Sequence, residues 1–120
     1  MDIRECYEKM GADYDDVSDR MGSEKLVERF TGRFLDDKSY QMIIDGIKEK
    51  DAETAFRGAH TLKGVCLNLG FSRLYEASRD LTEILRDRKL EGYEEALDVL
   101  KETYQSTVKA ICEWQQGKDE

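Results

Sequence analysis

The single histidine of this 120-residue chain, His60, opens a short run of reactive and small residues: Ala59, His60, Thr61, Leu62, Lys63, Gly64. On a helix, His60, Lys63 and Gly64 share one face, because residues three and four apart stack one turn above another. A nitrogen nucleophile then lies beside a cation and beside a position with no side chain. Neutral imidazole is nucleophilic near neutral pH. A lysine ammonium can neutralise charge developing on phosphoryl oxygens. Glycine inside a helix costs about 1 kcal/mol relative to alanine, so Gly64 needs a reason, and clearance for the active-site loop of a bulky protein donor supplies one. Together these residues could accept a phosphoryl group on nitrogen as a phosphoramidate, which retains high transfer potential and can hand the group on.

Advancing 100° per residue from His60 puts Ala55, Leu62, Val65 and Leu69 within about 40° of the opposite side. His60 is therefore expected to point out of the fold. Near its own azimuth lie Glu53, Phe56, Lys63, Gly64 and Leu67. Taken singly, an exposed histidine, a solvated lysine and isolated surface apolar residues are ordinary. Phe56 and Leu67 flanking the imidazole predict more, a docking patch for a partner that would also engage Arg57 and Glu53.

The elements that must position this face are all predicted to be helical. Ile3, Cys6, Tyr7 and Met10, then Tyr14, Val17 and Met21, mark one or two short helices punctuated by Gly11 and Gly22. Ser23 is a candidate cap for a segment carrying Leu26, Val27, Phe30, Phe34 and Leu35, then Met42, Ile43, Ile44 and Ile47. The polar stretch Asp36-Asp37-Lys38-Ser39 leaves open whether this is one helix or two. Asp51 can cap the histidine helix, whose inward stripe is Ala55, Ala59, Leu62, Cys66 and Leu69, with Gly58 and Val65 at its edge and Gly70 as its stop. Ser72 is expected to cap a helix facing Leu74, Ala77, Leu81, Ile84 and Leu85 inward, with cations from Arg86 to Lys89 at its end. The last helix is predicted to run from beyond Gly92 to about Trp114, on a stripe of Ala96, Leu97, Leu100, Tyr104, Val108 and Ile111. The polar tail from Gln115 to Glu120 is expected to fray. The pattern predicts an all-α, antiparallel up-down-up-down four-helix bundle with a short N-terminal helical extension, in one domain over residues 1–120.

Composition excludes several function classes. The chain holds 27 acidic against 19 basic residues, a net charge of −8, which argues against binding nucleic acid or an anionic membrane. No apolar run resembles a signal peptide or approaches a spanning helix, so a cytoplasmic protein is expected. Cys6, Cys66 and Cys112 fit neither a zinc spacing nor a redox pair and read as thiols in a reducing compartment. One histidine and scattered cysteines also speak against a metal or redox helical protein.

The run AHTLKGVCLNLGFSRLYEAS closely resembles the phosphorylation-site helix and following turn of histidine phosphotransfer (HPt) domains. Their hallmark is His-x-x-Lys-Gly within A-H-x-L-K-G-x-x-x-x-L-G, filled here by Ala59, His60, Leu62, Lys63, Gly64, Leu69 and Gly70. The paired Phe30 and Phe34 upstream, the turn at Lys50-Asp51 and the two following helices extend the likeness over about residues 13–114. The resemblance implies that His60, through its outer ring nitrogen, accepts a phosphoryl group from the phospho-aspartate of a receiver domain and relays it to another. Lys63 would face the phosphate and Gly64 would give clearance. Response-regulator receivers or a hybrid sensor histidine kinase would be the partners, with magnesium on the receiver and no cofactor on this chain. Many members orient the imidazole with a polar side chain on the next helix. Arg79 and Thr82 lie at suitable places, but neither is the glutamine often found there. The chain is too short for a kinase core and lacks glycine-rich ATP-lid motifs, so a phosphocarrier rather than an autonomous kinase is expected. Met1 and the full set of helices favour a free-standing, monomeric shuttle. The alternative is a module that binds a receiver or another helical partner without phosphotransfer.

Overall fold

Helical spacing runs through the whole chain, and the structure is an all-α bundle. The computed structural model describes residues 1–118. Among them are seven α-helices and no strand: α1 (Ile3–Met10), α2 (Tyr14–Met21), α3 (Glu24–Arg33), α4 (Ser39–Lys48), α5 (Ala52–Leu69), α6 (Ser72–Ile84) and α7 (Glu94–Lys118). The helices α4 to α7 pack in succession, each on the next, and α1 lies against α7.

The segment upstream of the histidine helix is two helices. After Arg33 the chain tightens into a 3-10 turn, Phe34–Asp36, and Asp37 steps out into extended backbone at ψ 134°. The Asp37 carboxylate accepts the Ser39 N–H at 2.9 Å and also the Ser39 hydroxyl. That supplies an acceptor to a donor that the start of α4 would otherwise leave unpaired. Asp2, Asp13, Ser23 and Asp51 cap their helices by accepting a backbone N–H three residues on. Ser72 does not cap α6; it is the first helical residue, and Phe71 holds the cap position without a side-chain bond. The cause is the brevity of the turn. Gly70 ends α5 in the left-handed region (φ 71°), and the Phe71 N–H closes back on the Cys66 carbonyl at 3.0 Å. The chain re-enters a helix at once. A side chain at Gly70 would also strike the Asp13 carbonyl, 2.8 Å from a Cβ built there.

Two glycines set the contact between α4 and α5. A Cβ on Gly46 would stand 2.6 Å from the Ala55 nitrogen, and one on Gly58 would stand 2.8 Å from the Ser39 carbonyl oxygen and 2.9 Å from the Ile43 nitrogen. The two backbones meet without side chains between them. The inward stripe of α5 is buried along its length, with Ala55, Ala59, Leu62 and Cys66 fully inaccessible. Around it, Phe34 meets Phe71 edge-on at 5.2 Å, and Tyr40 stacks on Tyr104 at 3.7 Å.

The N-terminal helices belong to this core. Ile3, Cys6, Tyr7 and Met10 are all buried. The Tyr7 hydroxyl donates to the Leu69 carbonyl at 2.7 Å and lies 3.1 Å from the Thr31 hydroxyl. Thr31, rather than Phe30, faces inward from α3, and Phe30 is left 37% exposed. Ile84 is likewise exposed: adjacent residues point about 100° apart, and its neighbour Leu85 takes the buried place. The tail expected to fray beyond Trp114 is instead helical as far as Lys118, while Asp119 and Glu120 lie outside the described residues. All three cysteines are free, and burial pushes the Cys6 thiol up to about 11 and the Cys66 thiol further still.

Because backbone atoms crowd the α4/α5 contact, Gly58→Ala should destabilise the protein by about 1–3 kcal/mol. Denaturant unfolding would measure it; an unchanged midpoint would mean that the two helices can part without penalty.

Candidate functional site

The site is built on α5. Its first turn is held by Asp51, whose carboxylate accepts the Thr54 N–H at 3.1 Å and the Thr54 hydroxyl at 2.7 Å. These bonds, the backbone one foremost, hold the Asp51 carboxyl below its ordinary range. With the apolar stripe buried, the opposite side must face outward, and His60 is exposed there. One turn on, Lys63 and Gly64 are half-buried. Lys63 makes no hydrogen bond or ion pair with a described residue, so its ammonium is available to an incoming anion. It is near enough to α6 to be felt by Glu83, whose carboxyl is held low chiefly by a bond from Arg86, with smaller pulls from Lys63 and Arg79.

Gly64 behaves unlike Gly58. A Cβ at Gly64 would meet nothing within 4 Å. The fold therefore has no packing need for glycine there, and the space beside His60 is open to a visitor.

The flanks of the histidine differ from the sequence expectation. Phe56 is not an exposed docking residue: it is only 8% exposed, and the Arg88 guanidinium lies 3.7 Å over its ring. Glu53 is engaged too, accepting from Arg88 Nε at 2.9 Å. The turn that follows α6 folds back over the first half of α5 and places Arg88 over Phe56, while Glu53 stays exposed. Leu67 does stand out, 57% exposed, and Arg57 is exposed.

Neither candidate for orienting the imidazole reaches it. Thr82 is fully buried and donates its hydroxyl to the Ser78 carbonyl at 2.6 Å. Arg79 pairs with Asp80 at 3.3 Å and lines a small cleft with Leu67, Tyr75 and Glu76, near the far end of α5 from its N-cap. Among the described residues no side chain hydrogen-bonds the His60 ring. Its one ring contact is with Phe56, with centroids 6.0 Å apart and planes 17° from parallel.

Two features escaped sequence reasoning. Arg88 was one of several charges in the run from Arg86 to Lys89, with nothing in their spacing to single it out. An apolar groove of about 630 Å³ also opens beside the second half of α5, lined by Met21, Phe30, Phe34, Val65 and Leu69 with Arg33, Asp36, Asp37 and Asn68 at its polar edge. Only the assembly of α2, α3 and α5 creates it. Among the described residues no three metal-ligating side chains gather, and no helix is long and apolar enough to cross a membrane.

Two predictions follow from this geometry. Gly64→Ala should raise stability by up to about 1 kcal/mol, the helical preference of alanine being unopposed by any neighbour; chemical denaturation would detect it, and a loss of stability would mean that the space is not free. Asp51→Ala should lower the melting temperature at neutral pH. A carboxyl depressed in the folded state stabilises above its unfolded value, and that contribution is lost as pH falls through the folded one. The gap between wild type and variant should therefore narrow as acid is added below the ordinary aspartate range; a gap independent of pH would contradict this.

The family model of the Hpt domain matches residues 24–110, from the start of α3 into α7. No curated protein and no solved structure matches the chain. The family match spans most of the sequence and encloses the exposed His60 with Lys63 and Gly64 beside it, so the chain belongs to the Hpt family, the phosphocarrier domains of histidine phosphotransfer in phosphorelays.

Proposed function

We propose that His60 accepts a phosphoryl group from the phospho-aspartate of a receiver domain and passes it to a second receiver in a two-component relay. The observation that carries this reading is the open space at Gly64. Among the described glycines inside helices, Gly64 alone has no heavy atom within 4 Å of its would-be Cβ, and it lies one turn from an exposed imidazole.

In the transfer, the lone pair of the outer ring nitrogen attacks phosphorus. The N–P bond forms as the P–O bond to the aspartyl carboxylate breaks, and that carboxylate leaves with the electron pair. The inner nitrogen keeps its proton or passes it to solvent. Lys63 is the chain's cation for the phosphoryl oxygens, since its ammonium is not engaged elsewhere. The divalent ion and the remaining catalytic groups belong to the receiver, so this chain needs no cofactor and does not phosphorylate itself from ATP. Passing the group on repeats the step in reverse with a second aspartate. Leu67 and Arg57, both exposed on the same helix, are the residues of this face that would meet the receiver.

A second reading, a receiver- or helix-binding module without transfer, draws on exposed Leu67 and the apolar groove. Incubation with a phosphorylated receiver separates the two. Wild type should acquire an acid-labile, base-stable phosphate, and His60→Gln should acquire none while keeping its helical circular dichroism. Label surviving in the variant would overturn the assignment of His60. Binding without label in the wild type would favour the second reading. Gly64→Ala, though more stable, should transfer more slowly, because its methyl group enters the partner's space.

A further inference from the structure

A phosphoryl acceptor must present its nitrogen along the line of the breaking bond, and a small misplacement can cost orders of magnitude in rate. The His60 ring has no hydrogen-bonding side chain among the described residues to fix that direction. It has one ring contact, Phe56, and Phe56 is itself held from outside. We propose that Phe56, clamped by Arg88 and Glu53, is the platform that sets the orientation of the His60 imidazole, with Arg88 a positioning residue acting through it. The proposal rests on the reading of His60 as phosphoryl acceptor.

Glu53, Phe56 and His60 follow one another at spacings of three and four, so they run up a single face of α5. The Phe56 and His60 rings are nearly parallel, 17° apart with centroids at 6.0 Å, inside the range of offset stacking. Over the Phe56 ring lies the Arg88 guanidinium at 3.7 Å. That guanidinium is anchored at its edge twice: Nε donates to the Glu53 carboxylate at 2.9 Å, and Nη1 donates to the Arg86 carbonyl at 2.6 Å. Its flat face is left for the ring. A guanidinium can hydrogen-bond in its plane and stack on an aromatic face at once, which a lysine ammonium cannot.

The backbone is arranged for the same end. Arg88 has φ 55°, an uncommon conformation for a residue with a side chain, and belongs to the turn that brings the chain from α6 back over α5. Lys63 and Arg88 thus differ in their surroundings. Lys63 has no hydrogen-bond or ion-pair partner among the described residues, whereas Arg88 is held by Glu53 and the Arg86 carbonyl and braces the ring's support.

His60 is the only histidine, so its ring signals can be followed by NMR without ambiguity. Phe56→Leu keeps an apolar side chain but removes the aromatic face. Arg88→Gln removes the stacking cation from an exposed position. In unphosphorylated protein, Phe56→Leu should abolish the ring-current shift of the His60 carbon-bound protons, and Arg88→Gln should move those signals in the same direction. With a phosphorylated receiver, both variants should lose about tenfold or more in kcat while KM for the receiver stays unchanged. His60 signals unmoved in both variants would overturn the proposal. So would a raised KM with intact kcat, which would make Phe56 and Arg88 part of the docking surface instead. The NMR arm needs no phosphotransfer, so it decides the platform even if the wild type takes up no label. That last result would defeat the acceptor reading alone.

Discussion

The close approach of α4 and α5 constrains everything that the histidine helix can do. With Gly46 and Gly58 at the contact, backbone meets backbone, and atoms of Ala55, Ser39 and Ile43 stand where any side chain would go. Such a contact tolerates little rotation of α5 about its axis. A slip of one residue would turn the helix by about 100°; in one direction it would carry His60 to the buried azimuth that Ala59 now holds. The azimuth of His60 is thus set by two absent side chains at the contact, Gly46 on α4 and Gly58 on α5. Burial of Ala59, Leu62 and Cys66 then fills the space that this geometry defines.

Much of this was legible in the sequence, for identifiable reasons. The inward stripe of α5 repeats at helical spacing over five positions, and an imidazole opposite such a stripe has nowhere to point but outward. What periodicity could not supply was the covering of that outer face. Azimuth gives the side of a helix on which Phe56 lies; it does not say that a turn thirty residues later will fold back and place Arg88 over it. The same limit explains α3. Spacing puts Phe30 on the inward stripe, but the hydroxyl of Tyr7, invisible to any local pattern, gives the polar Thr31 a reason to be buried in its place. Residue type points to Ser72 as a cap, but the turn at Gly70 is too short to leave it outside the helix.

Gly58 and Gly64 show how one residue type on one helix can answer to opposite demands. At Gly58 the fold requires the missing side chain, because carbonyl and amide atoms occupy its place. At Gly64 the fold would accept alanine, and by helical preference would gain from it. A glycine that the packing does not require, at a position open to solvent, leaves room for something to come close from outside. That asymmetry, more than the mere presence of a histidine, is what supports the proposed reading of this face over that of an ordinary solvated helix surface.

The two ends of α5 are tied down by means that leave its middle alone. At the first turn, Asp51 caps the backbone and Glu53 holds Arg88. At the last, the Leu69 carbonyl accepts from the Tyr7 hydroxyl, and the Leu67 and Gly70 carbonyls, which also take the local Gly70 and Ser72 amides, accept from the Arg20 guanidinium and the Asp13 amide. Those three donors lie upstream of the stretch that the family model matches. The short N-terminal helices therefore do more than extend the bundle: they complete the hydrogen bonding of the helix that carries the site. His60, Lys63 and Gly64 lie between these two hydrogen-bonded ends of α5. If His60 is the acceptor we propose, a phosphoryl group added there would stand on an exposed face, with the Lys63 ammonium one turn away and unpaired among the described residues.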